Sequence, residues 1–125
     1  LWVRDFASSG WIAEDETRVV GFLVGYRSPD RPVAIVHLLA VDPNRRREGI
    51  GAELLGRFLD DARGAGLGRV EALIRPDERP AVEFARALGF MPESLPPAHR
   101  IYGVPAFDDW DGPGEDRALL VRFLA

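Results

Sequence analysis

The chain has 125 residues, 46% hydrophobic and 29% charged, a composition that supports one packed domain over residues 1–125 and argues against a disordered tail. A formal net charge of −4 gives no broad attraction to nucleic acid or an anionic membrane; with no cysteine, disulfides, thiolate metal sites and a cysteine nucleophile are excluded. All 16 basic residues are arginine, so a Schiff-base lysine and a P-loop lysine are also excluded.

No apolar run approaches the roughly 18 residues that span a bilayer. The opening Leu1-Trp2-Val3-Arg4-Asp5-Phe6 has no basic stretch followed by an apolar one, so a cytoplasmic location is expected. Residues 10–27 read as a hairpin: Gly10 to Glu14 and Val19 to Tyr26 flank the polar turn Asp15-Glu16-Thr17-Arg18. Ser28 to Pro32 has the chemistry of a loop. Val33 to Val41 is a continuous apolar run interrupted only by His37, which predicts a buried strand.

Asp42-Pro43-Asn44 ends that strand. Ile50, Leu54, Leu55, Phe58, Leu59 and Ala62 then form one apolar stripe of a helix that Gly64, Gly66 and Gly68 terminate. Val70 to Ile74 follows as a strand parallel to the one ending at Val41, because a crossover helix separates them. Ala81, Phe84, Ala85 and Leu88 mark a second amphipathic helix, with Pro80 in its first turn and Gly89 at its stop. His99 to Tyr102 reads as a short strand. Ala118 to Leu124 reads as a last strand, although its periodicity also permits a helix.

The chemistry concentrates between the buried strand and the first helix. Gly49 and Gly51 let the backbone turn tightly and a ligand approach closely. The helix start offers unpaired N–H groups and the positive end of its dipole, an arrangement suited to a pyrophosphate. Arg45, Arg46 and Arg47 add mobile positive charge beside it. The stretch lacks the Gly-Lys-Ser/Thr of a Walker loop, and Leu54 stands where a Rossmann fingerprint needs a third glycine.

Arg46-Arg47-Glu48-Gly49-Ile50-Gly51 resembles the Arg/Gln-x-x-Gly-x-Gly/Ala cofactor signature of the GNAT superfamily of acetyl-coenzyme A-dependent N-acetyltransferases. Leu38 to Pro43 resembles that family's fourth strand and exit, and Ala81 to Phe90 its helix with a Leu-Gly-Phe ending. The resemblance implies a mixed α/β fold: a mostly antiparallel sheet with one splayed parallel pair and helices on both faces. It also implies acetyl-CoA as cosubstrate, no metal, and a primary amine of a small molecule or peptide as acceptor, without nucleic acid or membrane. Main-chain groups of Leu39, Ala40 and Val41 would hold the pantetheine arm and acetyl carbonyl. Arg46, Arg47, Glu48, Gly49, Ile50, Gly51 and Ala52 would hold the pyrophosphate.

Relatives also carry a strand and two helices before the hairpin, whereas nine residues precede Gly10 here. Leu1 to Phe6 is therefore expected to be the remnant of the second helix. A sheet edge and part of the acceptor site would then be missing or supplied by another chain, as in a homodimer.

Two departures touch catalysis. Glu78 replaces the asparagine of many relatives, and Ala85 replaces the tyrosine that protonates the departing thiolate. Tyr102 is the substitute candidate acid. His37 is the candidate base, expected by strand alternation to share a side with Leu39 and Val41; a core histidine bonded to a carbonyl is the equal alternative. Glu71 and Glu14 are further candidate bases that also read as surface charges. The acidic loop Asp108 to Asp111 with Glu115 and Asp116 reads as solvated, with attraction of a cationic acceptor the alternative; Trp2, Trp11 and Trp110 read as packing residues, with the lining of an acceptor pocket the alternative. The function expected is direct acetyl transfer in a ternary complex, and the alternative is a non-catalytic acyl-CoA-binding regulatory module.

Overall fold

A computed structural model describes residues 1–6, 10–16, 18–46 and 48–124. Arg47, to which the resemblance assigns a pyrophosphate contact, lies outside the described residues. The chain divides into two compact units, residues 1–70 with the extreme C-terminus and residues 71–123. Its class is the mixed α/β fold expected, with mostly antiparallel strands, one parallel pair and two α-helices among the described residues.

The first unit is built on four consecutive antiparallel strands: β1 (Trp2–Phe6), β2 (Gly10–Glu14), β3 (Val19–Arg27) and β4 (Val33–Val41). The hairpin and the third long strand stand where the sequence places them. Leu1 to Phe6 does not. Expected as the remnant of a helix, it is mostly strand β1, in register with β2 from Trp2 opposite Glu14 to Phe6 opposite Gly10. Five residues cannot bury a helical stripe, but as a strand they pair their main chain and let Arg4 reach Glu14 at 2.6 Å. Strand β1 thereby covers the edge of β2.

Helix α1 (Ile50–Gly64) packs on β2, β3 and β4, and all six residues of its predicted stripe are buried. Its seat is a pair of glycines on β3. A Cβ on Gly21 would lie 3.0 Å from Ile50 Cγ2 and 3.2 Å from Leu54 Cδ1; on Gly25 it would lie 2.5 Å from Phe58 Cε1. Four strand residues span about 13 Å and eight helical residues about 12 Å, so the spacing of the two sets matches. At its far end α1 closes through Gly66 at φ +78°, with Gly66 N–H donating to Arg63 O and Leu67 N–H to Ala62 O.

Strand β5 (Arg69–Ile74) leads into the second unit, which holds α2 (Arg79–Ala87), β6 (Met91–Pro92), β7 (His99–Ile101), β8 (Val104–Ala106) and β9 (Ala118–Phe123). In that unit β6 pairs antiparallel with β9, and β7 with β8. The helical option for the last segment is thus excluded. Helix α2 buries Val82 and Ala85 but leaves Phe84 42% exposed, so the predicted stripe through Ala81, Phe84, Ala85 and Leu88 is rotated. The Leu-Gly-Phe ending has a clear geometry: Gly89 at φ +92° donates to Arg86 O, Phe90 N–H donates to Ala85 O, and the Phe90 ring is buried. Arg122 donates to Leu88 O at 2.6 Å and seals the same end.

Candidate cofactor site

The first unit contains the whole stretch from β4 to the start of α1. Asp42 ends β4 by accepting from Asn44 N–H at 2.9 Å, which caps a single 3-10 turn over Pro43–Arg45. Its other oxygen takes Arg18 at 2.6 Å, tying the β2–β3 turn to the exit of β4. Gly49 then turns the chain into α1. Its φ of +78° is a left-handed conformation, and no described atom lies within 4 Å of where its Cβ would stand. Backbone conformation, not lack of room, is what asks for glycine here.

As the residue before α1, Gly49 has no side chain to cap the first turn. Its carbonyl accepts from Glu53 N–H at 2.9 Å, the first bond of the helix. The N–H groups of Ile50, Gly51 and Ala52 precede that bond and have no intrahelical acceptor. They sit at the positive end of a fifteen-residue dipole, and Ala52 is exposed beside them.

The arginines do not share one role. Arg46 is exposed and makes no ion pair among the described residues. Arg45, expected as mobile positive charge, is pinned. Its Nε donates to both oxygens of Glu48 at 2.8 and 2.9 Å, and its Nη1 donates to Asp15 Oδ2 at 2.6 Å. Those bonds, Glu48 first and Asp15 second, hold its pKa above the ordinary value. The partner across the β2–β3 turn lies thirty residues away in sequence, which is why composition alone left Arg45 free.

Strand β4 is not the uniformly buried strand predicted. Val33 and Ala34 are buried, but Leu38 is 49% exposed and Leu39, Ala40 and Val41 are half-buried. The change comes at His37. Val24 lies opposite Leu38 while the next residue, Gly25, lies opposite Val36, so His37 is an extra residue in the ladder, a β-bulge. Alternation therefore breaks at the residue from which a shared side with Leu39 and Val41 was inferred. His37 is exposed, which also removes the alternative of a core histidine.

Tyr102, the candidate acid, belongs to the second unit. It leaves the strand predicted for His99 to Tyr102 and, with φ +52°, forms with Gly103 the two-residue turn joining β7 to β8, 69% exposed. Both turn carbonyls are held, Tyr102 O by Arg79 and Gly103 O by Arg100. Ala85 is buried on α2, and Glu78 precedes that helix without capping it by its side chain. Of the remaining carboxylates, Glu14 is paired with Arg4, while Glu71 is 5% exposed, not the surface charge expected. The acidic loop closes on itself: Arg117 takes Asp111 at 3.0 Å and Glu115 at 3.3 Å, and Trp110 leans on Phe107. Among the described residues no group of acidic, histidine or cysteine side chains is placed to hold a metal ion, and no helix is long and apolar enough to cross a membrane.

A separate pocket of about 520 Å³ lies in the same unit under the C-terminal half of α1, lined among others by Trp11, Tyr26, Arg27, Phe58 and Asp61. Among the described residues, neither Arg46 nor any of residues 48–52 lines it.

Comparison with known proteins decides the family. The model of the acetyltransferase (GNAT) family matches residues 1–90. The chain belongs to that family. Among curated relatives, the L-2,4-diaminobutyric acid acetyltransferase of Nocardia farcinica is 35% identical over 89 residues, which are 70% of this chain and 46% of that protein. The chain spans about half the length of the curated relatives it matches. Among solved structures, N-acetylglutamate synthase from Neisseria gonorrhoeae, complexed with coenzyme A and N-acetyl-glutamate, is 28% identical at a TM-score of 0.70, over 94% of this chain and 26% of that one. Ard1 from Thermoplasma volcanium has a similar fold, at a TM-score of 0.72 and 24% identity, over 94% of this chain and 71% of that one.

Proposed function

We propose that this GNAT chain transfers the acetyl group of acetyl-coenzyme A directly to the primary amine of a small molecule or peptide. The observation that carries the reading is the uncapped start of α1, reached through left-handed Gly49 and flanked by exposed Arg46 within the family signature. Donors of Ile50, Gly51 and Ala52 would hold the diphosphate, and the half-buried main chain of Leu39, Ala40 and Val41 the pantetheine arm and the developing oxyanion. The acceptor class is supported by relatives whose names specify amine substrates, 2,4-diaminobutyric acid first among them.

The reaction needs a proton taken from the ammonium and a thiolate released. A thiol has a reference pKa of about 8.5, so the thiolate leaves without a dedicated acid at a cost of about 10²–10⁴-fold in rate. Buried Ala85 supplies no acid and favours the alternative reading, an acyl-CoA-binding module without turnover. His37, open to solvent at the bulge, is the proposed proton acceptor.

Calorimetry with coenzyme A, followed by thiol release over a panel of amines including 2,4-diaminobutyrate, tests both readings. Binding with release is expected; binding without release across the panel selects the module, and no binding by folded protein overturns both. Gly49→Asp is expected to abolish binding, by strain and by a negative charge placed at the anion site. A base must be neutral to work, so activity falls on the acid side of its titration. His37→Ala should flatten that limb of the kcat/KM profile, and an unchanged profile removes His37 from the mechanism.

A further inference from the structure

The loop that is to receive a diphosphate carries a carboxylate. Glu48 stands immediately before Gly49, where a negative charge opposes the ligand through both repulsion and the helix dipole. Its charge is met on the spot by Arg45, through both carboxylate oxygens, and Arg45 is itself fixed by Asp15 from the β2–β3 turn. The guanidinium is three-quarters shielded from solvent, with its Nε and Nη1 committed to these carboxylates.

We propose that Arg45 is a positioning residue for cofactor binding and not a phosphate ligand: bridging Asp15 and Glu48, it holds the Glu48 carboxylate in an ion pair and offsets part of the negative charge beside the start of α1. The inference rests on the cofactor reading above and deepens it. It separates Arg45 from Arg46 by task. Arg45 is committed to two carboxylates, which leaves the exposed Arg46 as the described arginine available to the anion. It also gives the β2–β3 turn a function, since Asp15 and Arg18 reach from it to Arg45, the last residue of the 3-10 turn, and to Asp42, its N-cap.

A double-mutant cycle read by calorimetry with coenzyme A separates this role from direct contact. Arg45→Ala should weaken binding about tenfold, the size of one uncompensated charge at short range in a partly solvated site. Glu48→Gln alone should change the affinity less than about twofold, and the double variant should return to within about twofold of the unaltered protein. The Arg45→Ala deficit should shrink at 1 M salt, where the screening length falls to about 3 Å. Asp15→Asn keeps the Arg45–Glu48 pair and removes one carboxylate, so binding should stay within about threefold of the unaltered protein; a loss as large as that of Arg45→Ala would mean that the tie to the β2–β3 turn, not the Glu48 pair, supports binding and would overturn the proposal.

Additive effects, with Glu48→Gln improving affinity equally whether or not Arg45 is present, would mean that Arg45 acts on the ligand itself, and would overturn the proposal. So would an Arg45→Ala variant that binds normally, or a double variant that stays weak. Failure of the unaltered protein to bind coenzyme A overturns the cofactor reading, and with it this one; binding with a flat cycle overturns this one alone.

Discussion

Helix α1 buries seven of its fifteen residues, whereas α2 buries two of nine. Each follows a loop and is closed by a left-handed glycine, Gly66 for α1 and Gly89 for α2. What differs is where the constraint sits. Along α1 it lies in the middle, where Ile50, Leu54 and Phe58 occupy the space left by Gly21 and Gly25. Along α2 it lies at the ends, with Pro80 in the first turn and Gly89, Phe90 and Arg122 at the last. A helix whose start must present N–H groups to a ligand benefits from the first arrangement, because a seated body fixes the direction of its N-terminus.

The largest expected effect breaks the α1 seat. Gly25→Ala places a methyl 2.5 Å from the Phe58 ring and 2.6 Å from Ile35 O, and the carbonyl belongs to paired backbone that cannot step aside. A loss of about 3 kcal/mol is expected in urea unfolding, at the upper end of overpacking costs. A loss under about 1 kcal/mol would show that α1 rides loosely on β3. Pairing the change with Phe58→Leu removes the ring contact but leaves Ile35 O, so it should restore only part of the loss.

The smaller effect lies at the end of α2. Gly89→Ala keeps the helix but forces a Cβ into φ +92° and against the Arg122 guanidinium at 3.2 Å, the far end of a flexible side chain. The strain of the left-handed residue dominates, and about 1–2 kcal/mol is expected in the same unfolding assay. If the loss exceeds that of Gly25→Ala, the ranking of body over end is wrong. Arg122→Ala on top of Gly89→Ala should add less than it does alone, since both act on one helix terminus.

The same contrast explains what was readable beforehand. The α1 stripe, the signature around Gly49 and Gly51, and the Leu-Gly-Phe stop are local patterns, and each has a counterpart in the structure. Gly21 and Gly25 were in plain view on a strand, and their four-residue spacing opposite an Ile50–Leu54–Phe58 series was the available sign of a close helix seat. The bulge at His37 left no such mark, since an extra residue in a ladder depends on the partner strand. Arg45 looked free because its ties to Asp15 and Glu48 come from the folded turn. The β7–β8 hairpin was missed because Tyr102 takes a turn position that usually holds Asn, Asp or Gly. Leu1 to Phe6 was read through the family's helices, and its main-chain pairing with β2 decides otherwise.

The smallest effect separates pattern from packing on α2. Phe84 fits the i, i+3, i+4, i+7 series as well as any residue of α1, yet it stands 42% exposed while Val82 is 1% exposed. Hydrophobic period locates a helix but leaves the buried face uncertain by one residue when the apolar set is small, because one residue turns the face by 100°. Phe84→Gln should therefore cost less than about 1 kcal/mol, since partial burial is all that is lost and glutamine is a good helix former. Val82→Ala at the buried position should cost at least twice as much although it removes far fewer atoms. A reversed order of the two would place the predicted stripe, not the observed one, against the interior of the second unit.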